Sequence, residues 1–273
     1  GAPKTMNITV TDLTFTYPSG PQALAGVTLT LPSGEAAAIV GENGAGKTTL
    51  VKHFNGLLKP TGGAVTVGEW DTRQYSVAKL ASRVGYVFQN PDDQLFERAV
   101  IKEASFGPKN LGRSADEAAA AAREALAAVG LEGEADKHPY DLHLSQRKLL
   151  ALAAVLAMRT PVVVLDEPTT GQDGRGIARI AAIVDRLKRE RRTVIAITHD
   201  IDFAAENFDR VIVMARGKVI ADGATRDVLA QTDALRSAEV EPPQLARLAH
   251  ALGLRATPLT PREFVQEFAS SSD

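Results

Sequence analysis

Apolar and polar positions alternate over Ile8-Thr-Val-Thr-Asp-Leu-Thr-Phe-Thr-Tyr17, the period-two pattern of a strand with one buried face. Pro18-Ser-Gly-Pro21 marks a turn and Val27-Thr-Leu-Thr-Leu31 resumes the alternation, so the chain is expected to open as antiparallel β-structure. The pattern then changes to short runs that are apolar at every position or nearly so: Ala36–Val40, Val84–Phe88, Val162–Leu165, Thr193–Thr198 and Arg210–Met214. Strands of that kind are covered on both faces, which predicts a largely parallel, buried sheet. Between the first run and an expected helix over Thr48–Asn55 lies a glycine-rich loop, the strand, loop, helix order of an α/β unit.

From Pro91 to Thr160 the pattern is helical. Ser114 is placed as an N-cap with Glu117 as its capping-box partner, and Ala118–Val129 forms a helix body that ends at Gly130. The alanine tract Ala118–Ala122 reflects helix propensity rather than low complexity. Near the end, Glu241-Pro-Pro243 breaks regular structure before Leu245, Leu248, Ala249 and Leu252 recur at helical spacing. The expected division is a main domain over 1–240, with its core in 6–90 and 160–240 and a helical subdomain over 91–159. A helical appendage over 241–273 follows, and no internal repeat is visible.

Composition narrows the function classes. In 273 residues the chain carries 31 Lys+Arg against 33 Asp+Glu, which disfavours non-specific binding to nucleic acid or anionic lipid as its main activity. With 44% hydrophobic and 23% charged residues and a mean hydropathy of -0.08, it is an ordinary globular sequence. The absence of cysteine removes disulfides, Fe–S clusters, thiolate zinc sites and cysteine nucleophiles together. The longest apolar run, Leu149–Met158, is far short of the roughly 20 residues that span a bilayer. The N-terminus shows no secretory pattern, and the five residues before Met6 read as an appended remnant.

Chemistry concentrates in four places. Gly41-Glu-Asn-Gly-Ala-Gly46-Lys47-Thr48 fits G-x-x-x-x-G-K-[ST] between an expected strand and an expected helix, the context that separates a phosphate-binding loop from a chance glycine-rich turn. Its glycines let backbone N–H groups curl round phosphate oxygens, Lys47 reaches the terminal phosphates, and Thr48 can ligate Mg²⁺. The nucleotide-binding set is therefore Gly41, Asn43, Gly44, Ala45, Gly46, Lys47, Thr48 and Thr49. Asp166 and Glu167 close the run Val162–Leu165, where α/β sheets place their ligands. Beside a phosphate loop such an Asp holds the Mg²⁺ shell and the adjacent Glu polarises an attacking water. His199 closes Thr193–Thr198 on the same sheet edge, near where a γ-phosphate would sit, and Gln89 follows Val84–Phe88 within reach of metal or water. The remaining histidines, His53, His138, His143 and His250, default to structural roles.

In order and spacing, Tyr17, the loop at 41–48, Gln89, the stretch 142–146, Asp166-Glu167, Gln172-Asp173 and His199 resemble an ATP-binding cassette ATPase over residues 7–240. More narrowly, Phe15-Thr-Tyr17-Pro18, Val87-Phe88-Gln89-Asn90-Pro91-Asp92-Asp93-Gln94, Asp166 to Asp173 and Pro242-Pro243-Gln244 resemble the ATPase subunits of energy-coupling factor importers of vitamins and metals. The resemblance implies a P-loop NTPase (RecA-like) α/β core with an antiparallel β subdomain, a helical insert and a C-terminal appendage. It also implies ATP and Mg²⁺ as ligands: Tyr17 stacks on adenine, Thr48, Gln89 and Asp166 serve the metal, and Glu167, His199 and Gln89 serve catalysis. Asp173 lies in the loop that crosses to a second subunit. Tyr17 can also pack locally instead, and the hydrophobic tail can cover its own domain or form a dimer contact.

One motif departs from the family pattern. Ungapped alignment from Asp166 backwards places the signature Leu-Ser-Gly-Gly-Gln on Leu142-His143-Leu144-Ser145-Gln146, so His143 takes the serine position and Ser145 the second glycine. The imidazole and the lost glycine alter how closely the backbone can approach phosphate, although Ser145 could serve as a displaced donor. In this family each nucleotide is sandwiched between one subunit's phosphate loop and the other's signature loop. The implied assembly is thus a heterodimer with a paralogue, joined by a transmembrane coupling subunit and a substrate-binding membrane subunit, at the cytoplasmic face of the membrane. Nucleic acid is not an expected partner. Three other readings stay open: the ATPase subunit of another ABC importer, a soluble cassette protein acting on ribosomes or DNA, and a non-catalytic nucleotide-binding regulator.

Overall fold

The computed structural model describes residues 5–18, 20–254 and 257–270. Its strands are β1 (Ile8–Thr16), β2 (Gln22–Leu31), β3 (Ala36–Val40), β4 (Gly62–Val67), β5 (Trp70–Asp71), β6 (Val84–Val87), β7 (Val162–Asp166), β8 (Thr193–Ile197), β9 (Arg210–Ala215) and β10 (Lys218–Ala224). The first sheet runs β2-β1-β4-β5 and is antiparallel throughout, as the alternating N-terminal pattern predicts. The second runs β10-β9-β3-β8-β7-β6, parallel from β9 to β6 with β10 antiparallel on its edge.

The doubly apolar runs have a direct physical cause. Along β7 and β8, Val163, Leu165, Val194 and Ala196 pack into one core cluster, while Val162, Val164, Ile195 and Ile197 pack into the other. The second cluster is completed by the antiparallel sheet and by α1 (Lys47–Lys52). After the short α2 (Val77–Leu80), the first cluster is closed by α3 (Val100–Asn110), α4 (Ala115–Ala128), α5 (Leu144–Met158), α6 (Gly174–Arg189) and α7 (Ile201–Asn207). The cap of α4 forms as expected: Ser114 accepts from the Glu117 amide at 3.2 Å and donates its own amide to the Glu117 carboxylate at 2.9 Å.

Beyond them lie α8 (Thr225–Leu229), α9 (Thr232–Ser237), α10 (Gln244–Ala251) and α11 (Pro261–Ser270). The tail covers part of its own domain, with Ala246, Ala249 and Leu259 buried, while Leu248, Leu252, Val265 and Phe268 stay exposed.

Several boundaries differ from expectation. β2 starts at Gln22 rather than Val27, because Gly26 takes φ 83 and lets the strand continue through a bulged register. The preceding turn is closed by Gly20 N–H donating to the Tyr17 carbonyl at 3.1 Å; its Ser19 lies outside the described residues, as do 1–4 of the stretch before Met6. The first helix ends at Lys52 rather than Asn55, and the chain turns at Gly56 with φ 74. β4, β5, β10 and α6 had no counterpart in the sequence pattern. β4 begins with a glycine pair that reads as a breaker, yet a Cβ on Gly63 would stand 2.2 Å from the Asp12 carbonyl, so close strand approach demands glycine there.

Gly41, the first residue after β3, is under the same constraint. Its φ is 147 and an added Cβ would lie 2.1 Å from the Met214 carbonyl of β9. Gly41→Ala is expected to displace the loop from the sheet and to cost at least about 2 kcal/mol, read by urea denaturation.

Candidate functional site

Parallel strands in register deliver their following loops to one edge. β3 supplies 41–48, β6 supplies Gln89, β7 ends on Asp166 with Glu167 next, and β8 leads to His199. These loops surround a cleft of about 430 Å³ lined by Tyr17, Asn43, Lys47, Thr48, Gln89 and Glu167, with Gly44, Gly46 and Thr49 also in its wall. A neighbouring space of about 750 Å³ adjoins Gly41, Asn43, Gln89, Glu167 and His199, and is walled on its far side by Glu239 to Pro242, Gln244 and Arg247.

The loop owes its shape to glycine. Gly44 and Gly46 take φ 85 and 99, and a Cβ on Gly46 would stand 2.6 Å from the Ala23 carbonyl. Lys47 lies inside the curl, its ammonium donating to the Gly41 and Glu42 carbonyls at 2.7 and 2.8 Å. Burial pushes its pKa down, opposed by the charges of Glu167, Asp166 and Glu42. A partly dehydrated cation there is poised to gain from a phosphate. Ala45 is fully buried, so it shapes the loop through its backbone.

Asp166 is the hub of the floor. Its Oδ2 accepts from the Tyr86 hydroxyl at 2.7 Å and its Oδ1 from Thr48 Oγ1 at 3.3 Å. Burial raises its pKa, opposed by those two bonds and by Lys52 and Lys47. Burial, and after it the same carboxylate, push the Tyr86 hydroxyl pKa up.

Glu167 occupies the left-handed region with φ 51, rare for a residue with a Cβ, and is held there by its amide donating to the Ile197 carbonyl at 2.9 Å. Its Oε2 lies 2.7 Å from His199 Nδ1 and 3.5 Å from Thr170 Oγ1. The Glu167 side chain is only 8% exposed against 65% for His199. A buried, fixed carboxylate thus meets an imidazole that projects into open space.

Tyr17 is half-exposed at the cleft mouth, with its hydroxyl 3.1 Å from Thr49 Oγ1 and its ring edge-on to Phe15 at 4.8 Å. The stretch 142–146 lies elsewhere. His143 precedes α5 and donates its amide to Gln146 Oε1 at 3.1 Å, and Ser145 sits in the first helical turn. Neither cleft takes a lining residue from 142–146. Asp173 caps α6, accepting from the Gly176 amide at 2.8 Å. Of the remaining histidines, His53 is buried against Phe15 with Nδ1 2.8 Å from the Thr49 carbonyl, and His138 accepts from the Tyr140 amide, as structural roles require.

Sequence reasoning missed four tethers. Tyr86 could have been found from the register, since it pairs with Val164, two residues before Asp166. Gln94 accepts from the Phe88 amide at 3.1 Å and donates to the Ala151 carbonyl at 2.9 Å, fastening the Gln89 loop to α5. Lys148 donates to the Thr170 carbonyl at 2.7 Å, and Gln172 Nε2 to the Ser145 carbonyl at 3.0 Å. Gln94 and Gln172 lie inside the segments that resemble the family, but the partners they bond cannot be read from the sequence.

Residues 24–170 match the sequence pattern of the ABC transporter family. The chain belongs to that family. Among its relatives, the energy-coupling factor transporter ATP-binding protein EcfA of Methanocaldococcus jannaschii is 40% identical over 245 residues, covering 88% of this chain and 87% of that protein. CbiO1 of Clostridium perfringens, part of the ABC transporter complex CbiONQ, superposes with a TM-score of 0.74 at 36% identity, covering 90% of this chain and 98% of that one. A dimeric ATP-binding cassette in a post-hydrolysis state with ADP and Pi superposes with a TM-score of 0.74 at 27% identity, covering 80% of this chain and 99% of its own. This chain is an ABC ATPase, with the parallel core, antiparallel subdomain and helices its sequence predicts. Among the described residues no helix is long and apolar enough to cross a membrane.

Because Asp166 has a folded pKa above its unfolded one, stability falls as pH rises between those two values, and the ionised group opposes folding at neutral pH. Asp166→Asn is expected to raise the melting temperature of the nucleotide-free ATPase while abolishing ATP turnover, read by calorimetry and phosphate release.

Proposed function

We propose that this chain is the ATP-hydrolysing subunit of an energy-coupling factor type importer, powering uptake of a vitamin or metal ion through separate membrane subunits. It would work as a peripheral subunit on the cytoplasmic face of the membrane. The observation that carries the two-chain part of the reading is that residues 142–146 line neither cleft around the phosphate loop. The cleft holds the base and phosphate loop but lacks the cap that a second cassette brings, so closure needs two chains. Similarity to EcfA and CbiO1 supports the importer type.

In this reading Tyr17 stacks on adenine, Lys47 and the amides of Gly44, Ala45 and Gly46 hold the phosphates, and His199 contacts the γ-phosphate. Glu167 is the general base, and its hydrogen bond to His199 fixes where it can hold a water. The oxygen donors of Thr48 and Asp166 converge within 3.3 Å, and with Gln89 they suit a hard divalent cation such as Mg²⁺. Bound there, the metal neutralises charge on the phosphates.

The partner is a paralogous cassette with an intact signature. His143 and Ser145 stand where serine and glycine would approach phosphate most closely, so self-pairing makes two impaired sites and mixed pairing one good site. Asp173 and the exposed Leu248 and Leu252 add to that contact. Docking to the membrane subunit uses the groove between the Gln89–Phe96 loop and the helical insert, about 210 Å³ in volume, where Phe96 and Phe106 meet edge-on at 4.7 Å.

Glu167→Gln is expected to slow turnover at least about 100-fold and to trap an ATP-dependent dimer, read by size-exclusion light scattering. A variant that stays monomeric with ATP, alone and with its second cassette, contradicts the scheme. Turnover by the chain alone is expected to fall well below that of the mixed complex, and equal rates would sink the heterodimer.

A further inference from the structure

On the side of the molecule formed by the helical insert and the end of α6, a separate pocket of about 250 Å³ lies between α4, α5 and the residues after α6. Its wall includes three guanidinium groups, Arg159, Arg186 and Arg192, and two carboxylates, Glu124 and Glu190. The cations outnumber the anions by one. Arg192 is the innermost, with only 11% of its side chain exposed. Its Nε donates to the Thr160 carbonyl at 2.7 Å, yet its Nη2 is buried without a hydrogen-bond partner, and Nη1 stands 3.7 Å from Glu190.

The carboxylates do not answer this surplus. Glu124 is engaged by Arg159 and stands 3.9 Å from Arg186, while Glu190 faces Arg186 Nε at 3.5 Å without completing a hydrogen bond. Arg159 is held toward the group by a left-handed backbone, φ 54, at the end of α5. Burial lowers the Arg192 pKa, and the charges of Arg186 and Arg159 lower it further against the pull of Glu190. A buried guanidinium donor left unpaired is costly, and the planar fork of arginine matches a tetrahedral oxyanion with two parallel bonds.

We propose that this pocket is a second anion site that takes a phosphate group, either free phosphate or a phosphomonoester. Arg192 and Arg186 hold it from the core side and Arg159 from the insert. An anion there bridges the helical insert to the core, so its binding pins the orientation of the insert. The site owes nothing to the phosphate loop and does not rest on the importer reading.

The test is calorimetric titration of the full chain with inorganic phosphate while a non-hydrolysable ATP analogue saturates the phosphate loop. Saturable binding of one phosphate is expected, weakened about tenfold or more by Arg159→Gln with analogue affinity unchanged, and strengthened by Glu124→Gln. Arg192→Gln is expected to lose more, but it also removes the bond to Thr160, so the exposed Arg159 decides if that variant fails to fold. Ribose 5-phosphate competing at the same site identifies a phosphorylated metabolite as the natural source, and failure to compete identifies the free anion. No saturable phosphate binding beside the analogue, or binding that Arg159→Gln leaves unchanged, overturns the proposal.

Discussion

A single carboxylate ties the machinery together. Asp166 ends a strand buried on both faces, and its two oxygens reach in different directions, to Tyr86 on the neighbouring strand and to Thr48 on the helix that follows the phosphate loop. The sheet holds an ionisable group where burial penalises its charge, a penalty that in the proposed reading a divalent cation held with the phosphates would offset. The left-handed backbone of Glu167 next to it belongs to the same strand end.

Around that floor, tethers join parts that are distant in sequence. Gln94 links the loop after β6 to α5, Lys148 links α5 to the loop after Asp166, and Gln172 links that loop to Ser145. The stretch 142–146 and the catalytic strand ends consequently share one framework through α5. Lys148 of α5 thus holds Thr170, whose hydroxyl lies beside the Glu167 carboxylate.

Much of this was legible in the residues alone. Where the chemistry sits at a strand end, the apolar run and the polar residues after it identify the element and the edge together, as for Val162–Leu165 with Asp166 and Glu167. The cap of α4 was equally readable because Ser114 and Glu117 act within one turn. What was hidden depends on contacts between segments. β4 opens with glycines needed by β1, α6 begins Gly174-Arg-Gly176 with Asp173 supplying its cap, and β10 is an edge strand with no buried face. The tethers from Tyr86, Gln94, Lys148 and Gln172 are of the same kind, since their partners are set by register and packing even where, as for Gln94 and Gln172, the residue itself lies in a quoted motif.

The central claim is that one copy of this ATPase forms an incomplete site, its γ-phosphate cap supplied by another cassette. Specific activity measured against total cassette concentration, alone and with the second cassette, tests it most directly. The account predicts turnover per chain that rises with concentration and vanishes at dilutions where light scattering shows only monomers. Constant turnover per chain in a purely monomeric sample would contradict it.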